Sequence, residues 1–450
     1  MNNPRLGRLL TLALPLIVAQ LAQNAVPFIS TLVIGRANPA DLAGMALAAV
    51  VFGVALNASS GIMFSVAPTV SQALGGGRTD EAGQTFRSAL WLGGTVGVVA
   101  MLAAYFAPGL LGALGQQPHT VAAAAQYLQV AAFGLPFLVF AIVLRGYFEG
   151  SGNTRPIMYV AFFAVLIHGV TSALLVLGPP ALGLRGVGIS SVLAYLGMAV
   201  ALLAIFVRTH PEVVAGSYRP DLRIIWELFT LGLPIGLTVT FEVGVFSATA
   251  FVMGYFGDLF LSAHQVAIQS ASMAFMVPLG IASATSILVG RARGARDLAA
   301  ATYAGWLGVI VACSFSLAAA SLFLFAPHLV IGIFVDITEP ANQDLVYHAR
   351  RFLAVAGAFQ IVDSAQAAAV GSLRGLKDAA VPMVLTLVAY WVVGFGSSLL
   401  LAYPLGFGPI GLWIGLIIGL GTAAALLLTR FRLLTKALAR REASAMMGSD

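Results

Sequence analysis

The feature that most constrains this chain is the recurrence of apolar runs of about 20 residues or more, each long enough to cross a roughly 30 Å hydrocarbon core as a helix. Twelve can be read, at approximately 10–35, 42–73, 87–110, 122–148, 156–178, 186–207, 226–256, 260–290, 299–326, 347–373, 380–403 and 409–430. Only 9% of the 450 residues are charged and 60% are hydrophobic, against about 25% charged residues in an average soluble domain. The expected fold class is therefore all-α, a polytopic membrane protein with twelve transmembrane helices. The 49 glycines suit it, because small residues let membrane helices approach closely. The first run is too long for a signal peptide and continues into further spans, so it reads as a retained helix.

Basic residues orient the chain. With both termini inside, only Arg36, Arg185, Arg350 and Arg351 among the 23 Lys and Arg fall outside. That bias predicts N-in and C-in. It also accounts for the net charge of +6 without a nucleic-acid surface. The single cysteine, Cys313, sits in the ninth span and can build neither a disulfide framework nor a metal cluster.

The two halves repeat. "TLALPL" at 11–16 answers "TLGLPI" at 230–235, "WLG" at 91–93 answers "WLG" at 306–308, "AP" at 107–108 answers "AP" at 326–327, and "LRG" at 144–146 answers "LRG" at 373–375. The order is kept at offsets of about 215–229 residues, which predicts two like-oriented six-helix repeats. Parallel repeats of this kind are a transporter architecture with the working site near the midplane. The expected division is an N-terminal half 1–207, a linker 208–225, a C-terminal half 226–432 and a tail 433–450.

Chemistry is scarce. "GSGNTRP" at 150–156 and "GGGR" at 75–78 lack the lysine of a phosphate-binding loop and read as turns, so ATP is not the expected energy source. No nucleophile and base constellation supports an enzyme, and no cofactor is expected. His168 reads as a hydrogen-bonded packing residue. Of the 17 acidic residues, only Glu242 in the seventh span and Asp363 in the tenth lie inside spans. A charge at the bilayer centre costs about 2.5–3.5 kcal/mol on the insertion scale, so such groups face internal cavities and do work.

Helical spacing puts Thr238, Glu242 and Thr249 on one stripe, Gln360, Asp363 and Gln366 on another, and Gln265 one turn from Gln269. Together these are expected to line a polar chamber in the C-terminal half, with Met273, Met276 and Phe359 either as adaptable apolar lining or as lipid-facing packing. A carboxylic acid can be protonated or cation-bound in alternation, which is the physical content of ion-coupled exchange. Pro27, near the middle of the first span, is the expected hinge.

The twelve spans in two like-oriented halves, "LPIGLTVTFEVGVF" at 233–246 and "FQIVDSAQAAAVGSLRGLKD" at 359–378 together resemble the multidrug and toxic compound extrusion (MATE) transporters, in their NorM-like bacterial branch. The resemblance covers essentially the whole chain, and its most specific part is "GSLRG" at 371–375 after an intramembrane Asp. It implies a V-shaped bundle of two lobes and export of cationic or amphipathic organic compounds in exchange for Na⁺ or H⁺. It assigns cation coupling to Glu242 and Asp363, which would ligate the metal if the ion is Na⁺, with Phe359 near the cation. Relatives often carry an Asp where "FIST" at 28–31 has Ser30. Without that acid, Gln20, Gln23 and Asn24 are left to hydrogen-bond a substrate in the N-terminal half.

The expectation is thus a monomeric secondary antiporter of the bacterial inner membrane, with small organic cations or amphipathic drugs as partners. The choice of Na⁺ or H⁺ stays open, since two carboxylates with hydroxyl and amide neighbours serve either. The alternative is a lipid-linked oligosaccharide flippase, whose polyanionic substrate calls for several intramembrane arginines. In this sequence the arginines lie at span ends or in loops. A channel or receptor would not need the repeat and the hinge prolines.

Overall fold

A computed structural model describes residues Pro4–Met447. Among these residues every regular element is helical, and twelve helices are long and apolar enough to cross a membrane. They are α1 Pro4–Ala37, α2 Leu42–Gly75, α3 Thr79–Ala113, α4 Pro118–Ser151, α5 Arg155–Leu177, α6 Gly183–Thr209, α7 Leu222–Gly254, α8 Asp258–Gly294, α9 Leu298–Phe325, α10 Pro340–Gly375, α11 Ala380–Ala402 and α12 Pro409–Glu442. Each expected span corresponds to one of them. The last helix continues to Met447, so the segment read as a tail from 433 is helical that far.

The interruptions follow the repeat. The end of α5 is a π-helical turn at Ala173–Leu177, and α11, its counterpart in the second half, contains one at Val388–Phe395. Such turns, with their i to i+5 bonding, collect at functional sites. The helix α1 stays continuous through Pro15 and Pro27, as α7 does through Pro234.

Two compact units make up the chain. One is Met1–Ile17 with Thr238–Asp450, and the other is Val18–Leu237. Both α1 and α7 therefore change unit partway along, just after the prolines of the repeated "TLALPL" and "TLGLPI" motifs, Pro15 and Pro234.

The unit that holds α8 to α12 is built around large fully buried rings, Trp413, Tyr390 and Phe352, with Phe359 edge-on to Trp413 at 5.7 Å. Close approach of α8 and α10 depends on glycine. A Cβ at Gly371 would lie 2.4 Å from the Ala282 carbonyl oxygen, so no larger residue fits that crossing. The other unit has an aromatic nest in which Phe206 stacks on Phe86 at 4.4 Å and meets Tyr147 and Phe148 edge-on.

Candidate functional site

Asp363 lies in the middle of α10 and is 2% exposed. Its helix supplies two more buried polar side chains at helical spacing, Gln360 and Gln366, one turn to either side. The Gln360 amide donates through Nε2 to the Ala271 carbonyl of α8 at 2.7 Å. A carbonyl can only accept, so that bond fixes the orientation of the amide and leaves Oε1 as an acceptor without a partner. Gln366 donates through Nε2 to the Tyr390 hydroxyl on the π-helical turn of α11, and its Oε1 is likewise unpaired. Asp363 Oδ1 is the third buried oxygen with no hydrogen-bond partner. Three such acceptors on one side of one helix are unusual, because a buried polar atom left unpaired costs about 1–3 kcal/mol.

Glu242, half-buried on α7, lies in electrostatic range of Asp363, Tyr390 and Arg374. Its position is fixed from α11. Trp391 donates through Nε1 to the Phe241 carbonyl at 3.2 Å, and Gly244 leaves room for the indole, since a Cβ there would come within 3.0 Å of the Trp391 ring. The two intramembrane acids thus lie within electrostatic range of each other. Two nearby carboxylates repel, and a proton or cation between them relieves that repulsion. Hard monovalent cations prefer oxygen donors, and the donor set here is carboxyl and amide oxygen. No group of three or more His, Cys, Asp or Glu that could hold a metal is present among the described residues.

The surroundings differ in part from the expected chamber. Phe359 is buried against Phe246 and Trp413. Thr238 is buried, whereas Thr249 donates its hydroxyl to the Val245 carbonyl of its own helix at 2.8 Å, which commits it to the helix backbone. Gln265 and Gln269 are exposed on α8, as is Met273, and Met276 is half-buried. Helical spacing had put the two glutamines on one face but could not say what that face meets.

In the other unit, Gln23 and Asn24 are exposed, and Asn24 donates to the Gln20 carbonyl at 3.1 Å. Gln20 accepts through Oε1 from Arg145 at 3.3 Å. Ser30 is buried and contacts His168 Nε2 at 2.9 Å, while also donating to the Val26 carbonyl at 3.0 Å. The serine has one proton, and the Val26 carbonyl can only accept it. The imidazole is therefore the donor to Ser30 Oγ. The reading of His168 as a hydrogen-bonded packing residue matches this environment, which includes Ser172 at 3.5 Å.

Three residues were not singled out from sequence. Tyr390 and Trp391 are ordinary apolar-run aromatics until the π turn aims one at Gln366 and the other at the Phe241 carbonyl. Arg374 was counted as a span-end charge. The structure has it half-buried in the last turn of α10, in range of Glu242 and Tyr390.

The MatE family profile matches residues 15–174 and 234–400, which covers most of both halves. A protein of Deinococcus radiodurans named "Probable multidrug resistance protein NorM" is 40% identical over 451 residues, 97% of each chain. Its namesake in Agrobacterium fabrum is 37% identical over 436 residues, 95% of this chain and 93% of that one. Among solved structures, a MATE transporter crystallised in the straight conformation superposes with a TM-score of 0.87 at 19% identity, over 97% of both chains. The eukaryotic MATE transporter AtDTX14 does so with a TM-score of 0.84, over 97% of this chain and 99% of that one, also at 19% identity. By profile, by near full-length identity and by fold, this chain is a multi-pass membrane protein that belongs to the MATE family, in its NorM-like branch.

Proposed function

We propose that the chain is a secondary active antiporter that exports cationic or amphipathic organic compounds in exchange for Na⁺ or H⁺, with coupling at Glu242 and Asp363. The observation that carries this reading is the set of three unpaired buried oxygens around Asp363 with Glu242 in electrostatic range. The relatives named for multidrug resistance supply the substrate class.

Exchange follows from competition for one negative region. A coupling cation or proton at the acids satisfies the oxygens and excludes an organic cation. When it leaves, the same charge attracts the drug, so loading one discharges the other. Exchange of one monovalent ion for one monovalent drug is electroneutral. Its driving force is the ion gradient alone, about 2.7 kcal/mol for a hundredfold gradient. The sign distribution of basic residues supports both termini inside a bacterial cytoplasmic membrane. We assign the two repeats to 1–207 and 226–432 joined by 208–225, in a monomer.

The test is drug efflux from cells expressing Glu242→Gln or Asp363→Asn, with the amount of inserted protein measured in parallel. Loss of efflux by more than tenfold at normal insertion is expected. Efflux at the wild-type rate from both variants would overturn the assignment.

A further inference from the structure

The two halves differ at one position of their third helices, α3 and α9, and the difference opens a cavity. Aligning "WLG" at 91–93 with "WLG" at 306–308 pairs Gly93 with Gly308 and Gly94 with Val309. The first pair does the same work in both halves. A Cβ at Gly93 would meet Val143 of α4 at 3.0 Å, and one at Gly308 would clash with the Thr285 side chain of α8, so each glycine marks a close helix contact. The second pair diverges. Val309 is 8% exposed, whereas a Cβ at Gly94 would find nothing within 4 Å. Gly94 instead lines a cavity of about 410 Å³ between α3, α4 and α6, together with Leu90, Pro136, Phe140, Val200 and Leu203. Every residue lining it is apolar. It opens at the surface, where Val200 is 57% and Leu203 39% exposed.

Depth in the bilayer narrows what can enter. On α3 the cavity begins at Leu90, beside Trp91, whose indole N–H donates to the Tyr218 carbonyl of the segment between the halves at 2.8 Å. A tryptophan in such a place marks the membrane–water interface. The far end is Pro136, which faces Gly97 so closely that a Cβ there would meet it at 3.0 Å. Six residues of helix separate Trp91 from Gly97, about 9 Å of rise, so the cavity stays within the roughly 15 Å of hydrocarbon belonging to one leaflet. On the interfacial side of it stand Arg87, three residues before Leu90, and Arg208, five after Leu203. Arg87 donates through Nη1 to the Val213 carbonyl at 2.9 Å, and Arg208 is exposed. Of the twelve spans α3 is the least buried, at 17%, so most of its surface belongs to the bilayer.

We propose that this cavity binds one acyl chain of a phospholipid whose phosphate sits at the level of Arg87 and Arg208. Water gains nothing there, because no polar side chain lines the space. Left empty, the cavity would forfeit dispersion contacts along three helices. A chain gains no hydrophobic energy by leaving the bulk bilayer, since lipid tails are as apolar as the cavity. Retention comes from the fit against α3, α4 and α6 and from attraction of the phosphate to the two arginines. The chain fills in the first half the place that the Val309 side chain fills in the second. In the orientation proposed above the lipid belongs to the cytoplasmic leaflet. The site itself depends neither on that orientation nor on coupling at the acids.

The test is photo-cross-linking with a phosphatidylglycerol that carries a diazirine in one acyl chain. The protein is reconstituted in vesicles of phosphatidylethanolamine and phosphatidylglycerol, and the labelled peptides are mapped by mass spectrometry. Labelling at 90–94 and 196–203 is expected to exceed several-fold that at Ile310 and Leu317, which are 61% and 60% exposed on α9. Gly94→Val, which copies the second half, should bring it down to the level of those two residues. Val200→Phe fills the same space from α6 and should do likewise, which keeps the test open if one variant does not insert. Wild-type labelling of the cavity no stronger than at Ile310 and Leu317, or undiminished in the inserted variants, overturns the inference. Loss of the wild-type labelling on addition of ethidium also overturns it, because the occupant is then an organic cation and not a lipid.

Discussion

The indole Nε1 of Trp391 donates to the carbonyl of Phe241 at 3.2 Å, fastening the π-helical turn of α11 to α7 at the residue immediately before Glu242. A carbonyl held from outside its own helix stabilises a fixed azimuth for the next side chain. Trp391→Phe keeps an aromatic ring and removes the donor, at a cost of about 1 kcal/mol for the lost bond. We expect the apparent affinity for the coupling ion to fall several-fold at normal insertion, read from the ion dependence of transport. An unchanged ion dependence would show that this bond has no part in setting the site.

Tyr390 accepts from the Gln366 amide on the same turn. Tyr390→Phe leaves a fully enclosed amide without its partner, a penalty of about 1–3 kcal/mol, and frees Gln366 to rotate. The expected outcome is a lower melting temperature together with weakened ion dependence. Gln366→Leu should weaken ion dependence with a smaller loss of stability, because it removes the buried amide altogether.

Pro15 and Pro234 occupy matching places in the repeat, and each lies just ahead of the point where its helix passes from one compact unit to the other. A proline at such a point removes one backbone hydrogen bond and eases bending. Restoring that bond with Pro15→Ala or Pro234→Ala should slow turnover without changing ion affinity, whereas Pro27→Ala should slow it less. Transport rates at saturating ion and drug separate these outcomes, and a larger effect at Pro27 would return the hinge to the middle of α1.

His210, just beyond α6, stacks on Phe206 with ring centroids 5.2 Å apart and meets Tyr147 edge-on at 5.0 Å. Burial pushes its imidazole below the ordinary value of 6.5, with Glu212 opposing the shift. The neutral ring is the one that packs. Its contribution to stability is therefore present above the ordinary imidazole range and is lost as the pH falls through the lowered folded-state value. The melting temperature should fall more between pH 7 and pH 4.5 for the wild type than for His210→Phe; parallel curves would contradict this.

The parts legible from sequence were those set by length and scarcity. Twelve apolar runs could only be helices of this span, and two acids left inside them stood out because so few charges surround them. The repeat was visible through its prolines and arginines. What the sequence hid was direction. Spacing alone put Gln265 beside Gln269 but could not reveal that both are exposed, and it gave no reason to connect Ser30 with His168, far along the chain on α5. Arg374 was hidden by the positive-inside pattern itself, since an arginine at a span end needs no further explanation. Tyr390 and Trp391 were hidden because a π turn leaves no mark on hydrophobic periodicity. Their roles rest on a local rotation of the helix that residue types do not encode.

The most direct measurement of the central claim is drug transport in proteoliposomes with the Na⁺ and pH gradients imposed separately, for the wild type, Glu242→Gln and Asp363→Asn. If exchange runs through the two acids, one gradient drives accumulation in the wild type, and neither gradient does so in either variant. Gradient-driven accumulation at the wild-type level in both variants would contradict the account.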